Sequence, residues 1–151
     1  MRRVRTIIAV SLGAVLLLAG PVLAKDGGRK FATPLTGQAE VTAAGVPNQG
    51  DLDGSGSALL RLNPGQGRVC YTITVAGVEP IAAAHIHRGV STTTGGVVVN
   101  LSPTTPTLGT WSGCETAPRS LILEIFHQPQ NFYVNVHNSP FPGGALRGQL
   151  G

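Results

Sequence analysis

The sequence is poor in charge and in aromatic side chains, and it contains no methionine after Met1. Charged residues make up 12% of the 151 residues and aromatic residues 5%, whereas glycine and proline number 21 and 11. This composition argues against a coiled coil, a helical bundle and a charged disordered tail. The sequence also lacks a GxSxG, Walker A or HExxH motif, and it has no pair of carboxylates at a spacing typical of a catalytic site. No catalytic set of residues is therefore evident. The missing methionine excludes a blue-copper site with an axial methionine ligand.

The first 24 residues have the pattern of an export signal. Arg2, Arg3 and Arg5 precede an uncharged stretch of roughly 15 residues, and Ala24 ends a small-x-small cleavage site. We therefore predict a signal peptide over residues 1–24 and a secreted or periplasmic protein without an integral membrane segment after cleavage. An uncleaved anchor is the alternative, although the stretch is shorter than the ~20 residues that a spanning helix needs. Residues 25–30 are predicted to be a flexible lead-in, and residues 31–151 one domain.

Removal of the signal changes how the charge is interpreted. The full chain has a formal charge of +4, but cleavage after Ala24 leaves eight basic and seven acidic residues in 127. No Lys/Arg run interleaved with aromatic residues is present. We therefore predict no nucleic-acid partner.

Export also decides how the two cysteines are interpreted. An even number of cysteines in an oxidising compartment favours a disulfide, and the only pairing is Cys70 with Cys114. The alternative is that a cysteine thiolate binds a metal ion.

Short apolar or alternating runs, separated by glycine, proline and asparagine, recur every ten to fifteen residues after residue 31. This spacing predicts a β-sandwich or a β-barrel. One helix is expected over Pro118 to His127, with the Thr116 hydroxyl as its capping group and apolar residues at helical spacing. The predicted strands are Leu35 to Val41, Ser57 to Leu62, Arg68 to Val75, Ile81 to His87, the valines 97–99, Phe132 to His137 and Leu146 to Leu150. The segment NPGQG at residues 63–67 predicts a hairpin turn between the second and the third of these strands.

Histidines provide the candidate metal ligands. His85 and His87 alternate along one strand, so both imidazoles project from the same face, and His137 adds a third if its strand lies nearby. Three imidazoles with an open position suit copper or zinc. The competing interpretation is structural, with these imidazoles hydrogen-bonded to loop backbone. His127, at the end of the predicted helix, is expected to interact with the C-terminal carbonyl groups.

Two further polar residues are candidates for buried pairing. Asn135 lies on the His137 strand, and Arg147 lies on the closing strand. We expect the Arg147 guanidinium to donate two hydrogen bonds, either to a carboxylate or to carbonyl groups. Such an arrangement is more often architectural than catalytic.

Three ordered segments of the sequence resemble one family. They are AHIHRG at residues 84–89, FYVNVH at residues 132–137 and FPGGALRGQL at residues 141–150. Through these segments and their order, the chain resembles the CHRD (chordin-type) domain from about Phe31 to Gly151. The resemblance implies a secreted all-β domain, an immunoglobulin-like, Greek-key β-sandwich with one short helix, whose biochemical role is mostly unassigned in bacterial members.

The expected function follows from these observations. The leading expectation is an exported CHRD-domain binding or structural module that is not an enzyme and binds an unknown extracytoplasmic protein or small ligand. The alternative is a periplasmic or secreted copper-binding protein that uses His85, His87 and His137, with superoxide dismutase-like redox activity. The His-x-His segment and the Gly-Gly-x-x-Arg region locally resemble copper/zinc superoxide dismutases, but nothing matches the zinc-binding loop of those enzymes.

Overall fold

A computed structural model of the protein describes residues 28–151. The predicted signal peptide over residues 1–24 and the first part of the lead-in lie outside these residues. Strand β1 begins at Arg29, so the last two residues of the predicted lead-in, Arg29 and Lys30, belong to the sheet and are not a flexible tether. They join the sheet because they pair with Leu62 and Arg61, and because the Arg29 guanidinium lies 4.7 Å from the centre of the Phe31 ring.

The described residues form eight strands, one α-helix and two short 3-10 helices. The strands are β1 (Arg29–Thr36), β2 (Ser55–Asn63), β3 (Arg68–Ala76), β4 (Ala83–Arg88), β5 (Val97–Asn100), β6 (Thr110–Thr116), β7 (Phe132–His137) and β8 (Leu146–Gln149). The α-helix, α1, is Arg119–His127, and the 3-10 helices are Gly37–Ala39 and Pro129–Asn131. The predicted all-β class with one short helix is confirmed.

All eight strands belong to one antiparallel sheet in the order β5-β4-β7-β8-β1-β2-β3-β6. The sheet is nearly barrel-shaped, because the segment between β5 and β6 connects its two edge strands. Trp111 on β6 donates from Nε1 to the carbonyl of Leu101 in this segment over 2.9 Å, and Thr107 of the segment forms an antiparallel bridge with Ile81, which precedes β4. The predicted all-β architecture is thus present, while this single sheet does not confirm the finer prediction of a Greek-key sandwich.

The core lies on one face of the sheet and follows the two-residue period of the strands. In β3, Val69, Tyr71, Ile73 and Val75 are all buried, as their alternation with polar residues predicts. The α1 helix covers part of this core with Ile122 and Ile125. No helix within residues 28–151 is long and apolar enough to cross a membrane.

The hairpin of β2 and β3 is confirmed, and its turn ends at Gly67 with a φ of +61°. The first predicted strand is wrong in position: β1 ends at Thr36, where the Thr36 hydroxyl accepts from the Ala39 N–H and begins a 3-10 helix. Strand β6 was not predicted, because Thr110–Thr116 has no run of large apolar residues.

The α1 helix begins at Arg119, one residue later than predicted. Pro118 is its N-cap, and no side chain caps the helix, so the expected role of the Thr116 hydroxyl is wrong. Thr116 instead ends strand β6, where it pairs with Arg68.

Candidate functional site

The three candidate histidines lie on the face of β4 and β7 that points away from the apolar core. Period two places His85 and His87 on this face of β4, while Ala84 and Ile86 point into the core. The antiparallel register pairs Ala83 with His137. His137 is therefore the diagonal neighbour of His85, and all three rings come together.

The rings are close enough to share one ion. Ring centroids are separated by 5.4 Å for His85 and His87, 5.1 Å for His85 and His137, and 5.9 Å for His87 and His137. One nitrogen of each ring lies within 4.8 Å of the other two, so a point exists that is no more than about 2.8 Å from any of the three. Zinc–imidazole bonds measure about 2.0–2.1 Å, so each ring needs to shift by less than about 1 Å to coordinate an ion.

Hydrogen bonds orient two of the imidazoles toward this point. His87 Nδ1 donates to the Gly95 carbonyl over 2.8 Å, and His137 Nδ1 donates to the Pro142 carbonyl over 3.1 Å. Because a carbonyl oxygen only accepts, Nδ1 carries the proton and Nε2 keeps its lone pair in both rings. A backbone acceptor on the distal nitrogen is the usual way in which proteins fix the tautomer of a metal-binding histidine.

Each of the three rings has a buried nitrogen atom without a partner. His87 Nε2, His137 Nε2 and His85 Nδ1 are buried and make no hydrogen bond within the described structure. Leaving a buried polar atom unsatisfied costs about 1–3 kcal/mol, and here three such atoms are gathered in one place. Loop carbonyls therefore explain the orientation of two rings but not the burial of three nitrogen atoms without partners.

Burial keeps the three imidazoles neutral. Desolvation is the largest cause that lowers the pKa of each of them, and the neighbouring imidazoles lower the pKa values of His85 and His137 further. The pKa of His137 falls to about 4, although its hydrogen bond to Pro142 opposes this shift. Neutral imidazole is the form that binds a metal ion, so the cluster does not need to lose protons at neutral pH.

Comparison with models of protein families assigns the domain. The model of the CHRD domain matches residues 31–150. The chain belongs to the CHRD-domain family. Comparison with curated proteins and with solved structures gives no match.

Arg147 supports the histidine cluster of this CHRD domain from the neighbouring strand β8. Its side chain is 1% exposed and donates to the carbonyls of Val90 and Thr93 over 2.7 and 3.0 Å. The guanidinium also lies 3.5 Å from the centre of the Tyr133 ring, which stacks on His87 at 4.9 Å. Arg147 therefore ties the loop that carries Gly95 to the strands that carry the histidines.

Glu40 is a buried site residue that the sequence does not reveal. It is 3% exposed, and burial raises its pKa to about 7, although the charge of Arg147 and a hydrogen bond from Asn135 favour its ionised form. Glu40 Oε1 and Asn135 Oδ1 have no partner within the described residues. No local signal marks Glu40, because it lies just after a 3-10 helix, outside any strand.

The remaining predicted residues lie away from the cluster. His127 is the exposed last residue of α1 and does not belong to the histidine group. Cys70 and Cys114 are directly opposite each other on β3 and β6, and a disulfide joins them. Their sulfur atoms are therefore bonded to each other in the structure.

Proposed function

We propose that this CHRD-domain protein acts outside the cytoplasm and binds one transition-metal ion, copper or zinc, through His85, His87 and His137. The observation that carries the proposal is the convergence of three imidazoles, with one nitrogen of each ring within 4.8 Å of the others, in rings that each have a buried nitrogen without a partner. A bound ion would satisfy all three lone pairs at once, which hydrogen bonds to the surrounding loops do not.

The donor set narrows the choice of metal. Three neutral imidazoles suit copper and zinc, whereas magnesium and calcium prefer oxygen ligands. Three protein ligands leave a coordination position for water or a small ligand. We assign binding rather than turnover, because the sequence has no match to the zinc-binding loop of the superoxide dismutases. Dismutase-like activity of the copper-loaded protein is the outcome that would favour the catalytic alternative.

Metal titration tests this proposal. Apo-protein is titrated with Cu(II) and Zn(II), and the His85→Ala/His87→Ala double variant is compared with His127→Ala, which removes an exposed histidine outside the cluster. We expect the wild type and His127→Ala to bind one equivalent equally well, and the double variant to bind at least 100-fold more weakly. Equal uptake by all three proteins would contradict the proposal.

The stability of the apo-protein separates the metal-binding role from a structural one. His85 is the clearest position, because its buried Nδ1 has no partner and its side chain makes no hydrogen bond among the described residues. We expect His85→Ala to change the free energy of unfolding of the apo-protein little, but to abolish the stabilisation by metal. Saturation at 100 times Kd adds about 2.7 kcal/mol to a protein that binds. A large loss of apo stability, with metal stabilisation retained, would favour the structural role.

The proposed location is supported by the CHRD domain and by the disulfide, because disulfides persist in oxidising compartments. Cell fractionation and intact mass measurement test it. We expect the protein in the extracytoplasmic fraction, with a mass that corresponds to a chain beginning at Lys25. A mass that includes residues 1–24 would contradict cleavage after Ala24 and favour the anchor.

A further inference from the structure

Asn135 is a buried amide beside the histidine cluster, and its accepting atom is unused. The side chain is 2% exposed, and its oxygen atom, Oδ1, has no hydrogen-bond partner among the described residues. The amide donates a hydrogen bond to the carboxyl group of Glu40, which favours the ionised form of that group. An asparagine side chain has one donating nitrogen and one accepting oxygen. The bond to Glu40 therefore engages the nitrogen and leaves the oxygen for a donor elsewhere.

His85 is the residue directly opposite Asn135. The antiparallel register of β4 and β7 pairs them, so both side chains project from the same face of the sheet, with Cβ atoms about 4.5–5.5 Å apart. His85 Nδ1 is also buried and without a partner in this part of the chain. A neutral imidazole carries one N–H and one lone pair, so Nδ1 can be the donor that Asn135 Oδ1 lacks. A hydrogen bond between these neighbours would satisfy two buried polar atoms at once.

The other two imidazoles of the cluster already have a bond of this kind. Backbone carbonyls accept from Nδ1 of His87 and of His137, so Nε2 of each ring keeps its lone pair. Metal-binding histidines almost always donate their second N–H to a carboxylate, a carbonyl group or water. His85 is the one ring of the three whose Nδ1 has no acceptor within residues 28–151. The amide oxygen of Asn135 would complete the set.

We propose that Asn135 is a positioning residue of the metal site: in the metal-bound protein His85 Nδ1 donates to Asn135 Oδ1, and His85 binds the ion through Nε2. The inference rests on the metal-binding function proposed above. Glu40 takes part because it accepts from the amide nitrogen of Asn135 and so leaves the amide oxygen to His85. All three histidines then bind through Nε2, and each Nδ1 donates to an oxygen atom that the fold holds in place.

Asn100 provides a matched control. It is directly opposite His85 on the other neighbouring strand, β5. Its amide oxygen already accepts hydrogen bonds from the backbone N–H and the hydroxyl group of Ser102, over 3.1 and 2.6 Å. The side chain of Asn100 is exposed, whereas that of Asn135 is buried. The two asparagines therefore have the same relation to His85 but differ in whether the amide oxygen is available.

Zinc titration of Asn135→Leu and Asn100→Leu tests the role of the amide, because leucine has a similar size but no polar group. Loss of an outer hydrogen-bond partner weakens metal binding by about 10- to 100-fold. We expect Asn135→Leu to bind Zn(II) at least 10-fold more weakly than the wild type, and Asn100→Leu to bind like the wild type. Asn135→Asp, which keeps an accepting oxygen, should bind at least as tightly as the wild type. Equal weakening by Asn135→Leu and Asn100→Leu, or wild-type affinity of Asn135→Leu, would overturn the inference, as would weakening by Asn135→Asp as large as that by Asn135→Leu.

Long-range proton–nitrogen NMR spectra of the zinc-loaded protein identify the His85 nitrogen that carries the proton. We expect the proton at Nδ1 and zinc at Nε2 in the wild type, and faster exchange of that proton with water in zinc-saturated Asn135→Leu. Because the main measurement uses the wild type, it does not depend on the folding of a variant, and circular dichroism verifies the fold of each variant.

The NMR result also separates the two proposals. A proton at Nε2 with zinc at Nδ1 of His85 would overturn the role of Asn135 but leave the metal site intact. Failure of the wild type to bind zinc or copper would overturn both.

Discussion

Replacement of Glu40 by glutamine tests how the structure holds a buried carboxyl group beside the histidine cluster. Burial raises the pKa of Glu40 from 4.5 to about 7, so the folded protein binds the proton more tightly than the unfolded chain does. The contribution of Glu40 to the free energy of unfolding should therefore fall as the pH rises from about 4.5 to about 7 and should level off above that range. The lowered pKa values of His85, His87 and His137 act in the opposite direction, so the difference between the wild type and a Glu40 variant isolates the glutamate. A difference of about 2.5 pH units corresponds to a loss on the order of 3 kcal/mol.

The Glu40→Gln variant keeps the shape of the side chain but does not titrate. Near pH 4.5 the two proteins should be about equally stable, because Glu40 is protonated in the folded state. At pH 8 the variant should be more stable, by up to about 3 kcal/mol. Urea unfolding of metal-free protein at four pH values, followed by the fluorescence of the single tryptophan Trp111, measures this difference.

The opposite sign would refute this reasoning. If Glu40 is instead ionised and paired with the buried Arg147, glutamine should destabilise the protein at pH 8 by about 3–5 kcal/mol, because a buried charge would lose its partner. Glu79→Gln is the matched control, since Glu79 is an exposed glutamate at the end of β3. Its change in stability measures the effect of replacing an exposed glutamate by glutamine.

Two further predictions concern the covalent link and one turn. Breaking the Cys70–Cys114 disulfide by a double serine substitution should lower the free energy of unfolding by about 3–4 kcal/mol, because the link joins residues 44 positions apart. Urea unfolding of this variant should no longer respond to reductant. A mass of the exported protein, measured without reductant, that corresponds to two free thiols would contradict the link. Gly144→Ala should cost more than about 1 kcal/mol, because Gly144 has a φ of +146° and an added Cβ would lie 2.5 Å from Glu40 Oε2. Gly143→Ala, with no atom within 4 Å of its added Cβ, should change thermal stability little, and equal losses at both positions would refute the steric argument.

Local patterns predicted the elements whose residues alternate clearly or carry turn signals. The hairpin around Gly67 and the strand Phe132–His137 have the predicted positions, because period-two alternation and glycine-rich turns act within a few residues. Strand β6 escaped prediction because its stability comes from pairing with β3 and from the disulfide rather than from its own composition. Strand β1 was not predicted at its observed position, because Thr33 is buried there although it is a polar residue.

That His85 and His87 share one face of a strand follows from the amino-acid sequence, because the strand period is a property of the backbone. The position of His137 beside them does not follow from it, since that depends on the register in which Ala83 is opposite His137. The same holds for Glu40, which is distant in sequence from Asn135 and Arg147 and becomes a buried carboxyl group only when its segment packs against β7 and β8. Pairing across a sheet brings together residues that local periodicity cannot relate, so the candidate ligands could be named from the sequence, but their common centre could not.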